Sequence, residues 1–225
     1  MPNDVLGIGQ TADAAEAMTR EIRKLIHPLL KPFVVQAGGL LGDMAQLGRE
    51  RIMKVVTRSK EKLAESGLEP QPVQTKTLLP LLQACALEDD EAMIEMWANL
   101  LAFAASAKSV PPAFVQTLAV LSPDEARLLN ALVQVQRPDP PRRSRPAVNV
   151  KAFRLSTSLP QPAFNKIVVT LFHLGLVHMG FPDGIILGFP QFPPIEDGSL
   201  ICTTPFCDEF LAACTQPSVK HQPRD

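Results

Sequence analysis

Two stretches of this chain concentrate cations. Arg49, Lys54, Arg58 and Lys60 recur along one, and Arg142, Arg143, Arg145 and Lys166 along the other. Such residues hold phosphate, on a nucleic acid or on an anionic lipid surface. Between them stands Glu88-Asp89-Asp90-Glu91, with Glu95 beyond. Carboxylates in that number could hold a divalent cation, but no glycine-centred loop of the EF-hand kind accompanies them. Opposing the positive end of a helix dipole is their commoner use at a helix start. Cys202, Cys207 and Cys214 lack CxxC spacing, and His173 and His178 stand five apart, so they read as core thiols and incidental histidines. Cys85 has no adjacent histidine. No phosphate loop, dinucleotide fingerprint, GxSxG elbow or HExxH is present, and Gly7-Ile8-Gly9 follows no strand. The expectation is a protein that is not an enzyme, with no catalytic residue, metal or cofactor.

The elements that must position these residues are mostly helices. The 225 residues allow one large domain or two small ones. An apolar fraction of 46% with 20% charged residues suits a chain that buries a core. A formal net charge of −1 argues against binding a polyanion through overall charge. Asp4, Asp13 and Glu16 occupy a start that holds no Lys or Arg before residue 20, unlike a secretory signal. The uncharged run Pro32–Gly42 falls far short of a membrane span of about 20 residues. Cytoplasmic location and reduced thiols are expected.

Residues 1–13 read as a flexible start and 14–67 as an amphipathic basic helical region. Ile22, Leu25, Ile26 and Leu29 fall at helical spacing until Pro28 and Pro32 interrupt, and Gly38, Gly39 and Gly42 follow. A clearer helix is expected over 43–65. Met44, Leu47, Ile52, Val55, Val56 and Leu63 form its apolar stripe, and its cations lie mostly off that stripe. Residues 18–67 hold ten Lys/Arg against five Asp/Glu. Gly67 is the expected C-cap. Residues 73–136 form a helical core, with helices over 75–87, from Glu88 onward, 113–120 and 123–136. In the second of these, Met93, Met96, Trp97, Leu100, Leu101 and Ala104 face inward, and Asn99 is expected off the apolar face, capping a chain end or contacting a partner. Ser122-Pro123-Asp124-Glu125 has the spacing of a capping box.

Residues 137–149 hold four prolines and four arginines and read as a linker. Residues 150–215 then change character, carrying eight of the eleven phenylalanines. A helix is expected over 163–174 with Gly175 as its cap, strands over 176–179, 184–188 and 199–203, a final helix over 206–214, and a flexible tail at 216–225. Together with helix 123–136, that order is winged-helix-like. The expected fold is therefore mainly α, with a helical N-terminal and middle region followed by a small α+β, winged-helix-like module. As a reading helix, 163–174 offers only Asn165, Lys166, Thr170 and His173, few of the groups that read base edges. Its cationic neighbours are Arg142, Arg143, Arg145 and Lys151. Packing or protein contact is the plainer use of such a module.

The runs "LLPLLQACALEDDEAMIEMWANLLAFAAS" (Leu78 to Ser106) and "PPAFVQTLAVLSPDEARLLNAL" (Pro111 to Leu132) resemble the abortive infection alpha family of bacterial proteins. "RERIMKVVTRSKEKLAESGLEP", "LFHLGLV" and "TTPFCDEFLAAC" are similar to its basic helix and its ending. The likeness covers about residues 40–214. The family's ending more often shows Leu-Thr and a Gly, where this chain has Thr203-Thr204 and Cys207. The resemblance implies bacterial defence against phage in which the infected cell dies or stops growing, and it supplies no catalytic residues. Glu88, Asp89, Trp97, Asn99, Leu100, Ser122 and Glu125 carry the motif and are read as structural.

Three functions compete on the sequence. The first is a non-enzymatic anti-phage protein that contacts a protein partner or phage component, with homo-oligomerisation open. The second is a winged-helix DNA-binding regulator, with nucleic acid disfavoured by the sparse reading helix. The third is an effector lying on an anionic membrane surface through its basic amphipathic helix. The contact residues for the last two are Arg49, Lys54, Arg58, Lys60, Arg142, Arg143, Arg145 and Lys166. A solvated α-helical face balanced by the acidic 88–95 segment is the alternative for the first four.

Overall fold

The computed structural model describes residues 48–106, 108–136, 146–180, 195–196 and 198–215. Among them lie eight helices and three short strands. They fall into two compact units, Met1–Ala119 with Ala213–Asp225, and Val120–Ala212. The fold is mainly α with a small α+β part, as expected. The helix expected at 14–30, both termini, residues 137–145 and the strand at 184–188 lie outside the described residues.

The first unit contains α1 (Arg49–Glu65), α2 (Thr75–Cys85), α3 (Glu91–Ala105) and most of α4 (Pro112–Val120). In α1, Ile52, Val55, Val56, Ser59 and Leu63 are buried at helical spacing and pack on α3. Ser59 satisfies its buried hydroxyl on the Val56 carbonyl at 2.8 Å. Gly67 ends α1 at φ 64: its amide bonds to the Ala64 carbonyl, and the Leu68 amide to that of Leu63, a Schellman closure. The Gln71 amide then ties the returning loop to the Ala105 carbonyl at 2.7 Å. Pro80 sits inside α2. Both Pro80 and Lys76, whose carbonyl it leaves without a helical partner, are exposed, so water can satisfy that oxygen.

Helix α3 departs from the one-sided picture. Ile94, Ala98, Asn99, Ala102 and Ala105 are buried along with the six residues expected to face inward. Its composition explains this, because Glu91 and Glu95 are its only charged residues. Asn99 is therefore not on an open face: it is 4% exposed, and its Oδ1 has no hydrogen-bond partner. Trp97 is fully buried too, with its Nε1 similarly unpartnered.

The second unit contains α5 (Pro123–Val135), β1 (Val148–Asn149), α6 (Val150–Thr157), α7 (Gln161–His173), β2 (Val177–Gly180), β3 (Leu200–Thr203) and most of α8 (Pro205–Thr215). Ser122 and Glu125 form the capping box at the start of α5, with the Ser122 amide donating to the Glu125 carboxylate at 2.8 Å. The strands form an antiparallel sheet in the order β1-β3-β2. Val148 and Met179 both lie opposite Ile201, and Val177, Met179, Ile201 and Thr203 are buried. Edge-to-face packing of Phe153 on Phe164, centroids 6.0 Å apart, joins α6 to α7. Gly175 closes α7 at φ 69, the same Schellman closure as at Gly67.

Two features correct the sequence reading. Val148–Asn149, read as linker, is a strand, because Ile201 and Leu200 present a ladder to it. Gln136, read only as a helix end, is fully buried. Its Nε2 donates to the carbonyls of Pro146 (2.9 Å) and Ile201 (3.4 Å), and its Oε1 accepts from the Thr203 amide (3.3 Å) and hydroxyl (3.1 Å). One side chain thus joins α5 to the approach to β1 and to β3. Thr204 completes the join, donating to the Gly175 carbonyl at 2.7 Å and capping the Cys207 amide at 3.0 Å.

Two stability outcomes follow. A Cβ at Gly48 would lie 2.1 Å from the Ala86 carbonyl oxygen and 2.5 Å from its Cα, backbone that cannot step aside cheaply. Gly48→Ala should therefore cost about 1–3 kcal/mol in urea unfolding, as overpacking does. Gln136→Leu keeps the volume but strands buried carbonyls and an amide, and should cost roughly 2–3 kcal/mol in the same measurement. Wild-type midpoints in both variants would refute these packing assignments.

Candidate functional site

Seven charged residues of the first unit meet on one line. Along α1, Arg51, Lys54, Arg58 and Lys62 are spaced three, four and four apart, which places them on one face. Opposite stand Asp89, Glu91 and Glu95, where the chain enters α3. Arg51 pairs with Asp89, and Lys54 with Glu91 at 2.6 Å. Arg58 pairs with Glu91 and reaches Glu95 at 3.6 Å, and Lys62 pairs with Glu95. Partner numbers rise together on both elements, so α1 and α3 run parallel and the intervening 66–90 must carry the chain back. The ladder flanks the apolar seam between the two helices.

The remaining carboxylates serve the α3 terminus. The Asp90 side chain accepts from the Ala92 and Met93 amides at 2.9 and 3.2 Å. Glu88 accepts from the Asp89 and Asp90 amides. The acidic run therefore does two jobs: capping by Glu88 and Asp90, and pairing with cations by Asp89, Glu91 and Glu95. Hydrogen bonds from Lys54 and Arg58 hold the Glu91 carboxyl below the usual glutamate range. Among the described residues, no group of three His, Cys, Asp or Glu side chains could hold a metal ion.

Beside the ladder opens a shallow groove of about 1070 Å³, with Met53, Thr57 and Ile94 in its lining. It also carries the carboxylates of Glu50, Glu61, Glu88, Asp89 and Glu91 against the cations of Arg49, Arg51, Lys54 and Arg58. Five negative groups facing four positive ones make it nearly neutral.

The residues singled out as phosphate contacts therefore separate. Lys54 and Arg58 are in the ladder and Arg49 lines the groove. Lys60 lies two residues from Arg58, about 200° around the helix, so it is outside the ladder; partial burial lowers its pKa. Lys166 is exposed on α7. Arg142, Arg143 and Arg145 lie outside the described residues. Of the motif residues, Trp97 and Leu100 are buried, Glu88 caps amides and Asp89 pairs with Arg51. The sequence reading named the acidic 88–95 segment as the balance for this helix but not the individual pairs of Arg51, Lys62 and Glu95. The 51/54/58/62 spacing against Glu91 and Glu95 was the available signal. Burial raises the Cys85 thiol to about 12 and pushes Cys202 up as well, which suits core thiols.

These features define a mainly helical protein with an internally balanced charged surface on its first unit and a small α+β second unit. The model of the abortive infection alpha family matches residues 48–186, and the chain belongs to that family. The family's name ties it to abortive infection, a bacterial defence against phage. Neither the curated proteins nor the solved structures yield a match. Among the described residues, no helix is long and apolar enough to cross a membrane.

The ladder makes a pH-dependent prediction. The folded-state pKa of Glu91 is depressed, so its contribution is complete above the ordinary glutamate value of about 4.3 and fades as pH falls through the lower folded value. Glu91→Gln should be less stable than wild type at neutral pH and low salt. The gap should narrow as the solution is acidified below that range or as salt is raised. A gap independent of both would mean that the ion pairs contribute nothing.

Proposed function

We propose that this chain is a cytoplasmic, non-enzymatic anti-phage protein that works by contacting a protein partner or phage component, and that the groove beside α1 is the contact surface. Family membership supplies the defence role. The observation that carries the contact surface is the groove's charge balance. A polyanion or an anionic membrane needs an excess of cations, whereas this lining interleaves five carboxylates with four cations around Met53 and Ile94. Mixed charge around small apolar patches suits a polypeptide partner, which complementary charges orient. The same balance argues against α1 as a membrane or nucleic-acid element, since its cations at 51, 54, 58 and 62 already have partners.

The test is infection of a bacterial host expressing the full chain. Protection at low phage-to-cell ratio with culture collapse at high ratio is expected, against an empty vector. Thr57 and Glu61 are exposed and outside the ladder. Thr57→Arg with Glu61→Arg should return plating to the vector level while stability stays within about 0.5 kcal/mol of wild type. Protection that survives this double change would exclude the groove, and normal plating by wild type across a broad phage panel would oppose the defence role.

A further inference from the structure

In every pair of the α1–α3 ladder the carboxylate is the more exposed member. The Asp89 side chain is 80% exposed against 36% for Arg51, and Glu91 58% against 43% for Lys54 and 27% for Arg58. Glu95 is 44% exposed against 21% for Lys62. Three further carboxylates, Glu50, Glu61 and Glu65, are exposed along α1, and among the described residues none of their side chains forms an ion pair or hydrogen bond. At 100° per residue these three fall within about 60° of one another around the helix. Glu50 and Glu61 line the groove, and Glu61 and Glu65 line a second shallow concavity of about 620 Å³. Arg58, Glu61 and Glu91 belong to both, so the two hollows run on from each other along α1.

We infer that this side of α1 presents an acidic surface and takes a lysine- or arginine-bearing segment of a protein partner; the inference rests on the groove being a polypeptide contact surface. By count the groove is nearly neutral, but three of its four cations, Arg51, Lys54 and Arg58, already face carboxylates that stand further into water than they do. The two α1 cations outside the ladder, Arg49 and Lys60, each stand one residue before a carboxylate of the row and so about 100° around the helix from it. What an incoming group meets is therefore Glu50, Glu61 and Glu65 beside the outer carboxylates of Asp89, Glu91 and Glu95. Such a field attracts a basic segment and repels a polyanion. Met53 and Thr57 lie between Glu50 and Glu61. A polypeptide can pack an apolar side chain on the half-exposed Met53 while its cations reach the acids on either side, a contact that a free polyamine does not make. From Glu50 to Glu65 the row is about 22 Å long, which about seven extended residues span.

The test uses the full-length protein and a fluorescein-labelled lysine–leucine–alanine repeat peptide of about twelve residues, longer than the row when extended. Its counterpart carries glutamate in place of lysine. Fluorescence anisotropy from about 50 mM salt upward should show wild type binding the basic peptide and not the acidic one, with affinity falling as salt rises. Glu61→Gln with Glu65→Gln should weaken binding about fivefold or more at the lowest salt. Glu196→Gln with Glu209→Gln removes the same charge from exposed sites of the second unit and should leave the affinity unchanged. Circular dichroism of each variant establishes that the helices are intact. Absence of basic-peptide binding by wild type would overturn the inference. So would an equal loss in the Glu196/Glu209 variant, or displacement by spermine as complete as by unlabelled peptide at matched ammonium concentration. If the peptide fails to bind while Thr57→Arg with Glu61→Arg still abolishes protection, the basic partner is overturned and the groove stands as the contact surface. Peptide binding by a chain that gives no protection supports the acidic surface and opposes the defence role alone.

Discussion

Helix α3 has almost no wet side, and the rest of the first unit is arranged around that constraint. A helix buried around its circumference can be stable only if neighbours cover every face, and it can carry charge only where it emerges. In α3 that point is the first turns, where Glu91 and Glu95 stand. Their carboxylates need partners beside the apolar seam, and α1 supplies them in register. The two interactions divide the work. Burial of Ile52, Val55, Val56 and Leu63 against α3 supplies most of the association energy, since exposed ion pairs are individually weak. The ladder discriminates direction: an antiparallel α1 would carry its row past the uncharged end of α3 and leave Glu91 and Glu95 facing other groups. Gly48 belongs to the same constraint, because the start of α1 must lie almost on the Ala86 backbone for Arg51 to reach Asp89.

That arrangement changes what the basic helix means. Ten cations against five carboxylates over residues 18–67 look like a surface for phosphate when read along the chain. In three dimensions the acidic entrance to α3 lies against the cations of α1, and Asp89, Glu91 and Glu95 offset the excess that this helix carries. Available charge, rather than counted charge, is what a polyanion meets.

Much of the helical framework could be read directly from local signals. Ser122 and Glu125 make a capping box because three residues is the reach of both side chains. Gly67 and Gly175 end their helices in the left-handed region because glycine enters it without steric cost. Strands β2 and β3 were visible as short apolar runs. By contrast, β1 was hidden: two residues have no periodicity of their own, and Val148–Asn149 become a strand only because β3 offers them hydrogen bonds. Gln136 was hidden for the same kind of reason. It looks like an ordinary polar helix end until Pro146, Ile201 and Thr203, as many as 67 residues away, close around it.

The candidate site divides along the same line. Sequence alone determined the residue types, the helices that carry them, the caps at their ends and the resemblance to a family, because each depends on neighbours within one or two turns. Tertiary structure decided which of those charges were already paired, that Asn99 would be buried rather than presented, and that a nearly neutral groove would lie beside the basic helix. These depend on distances between residues more than thirty apart, such as Lys54 and Glu91. A hydrogen-bonded ion pair needs its partners within about 4 Å, and which side chains come that close is settled by the packing of α1 on α3.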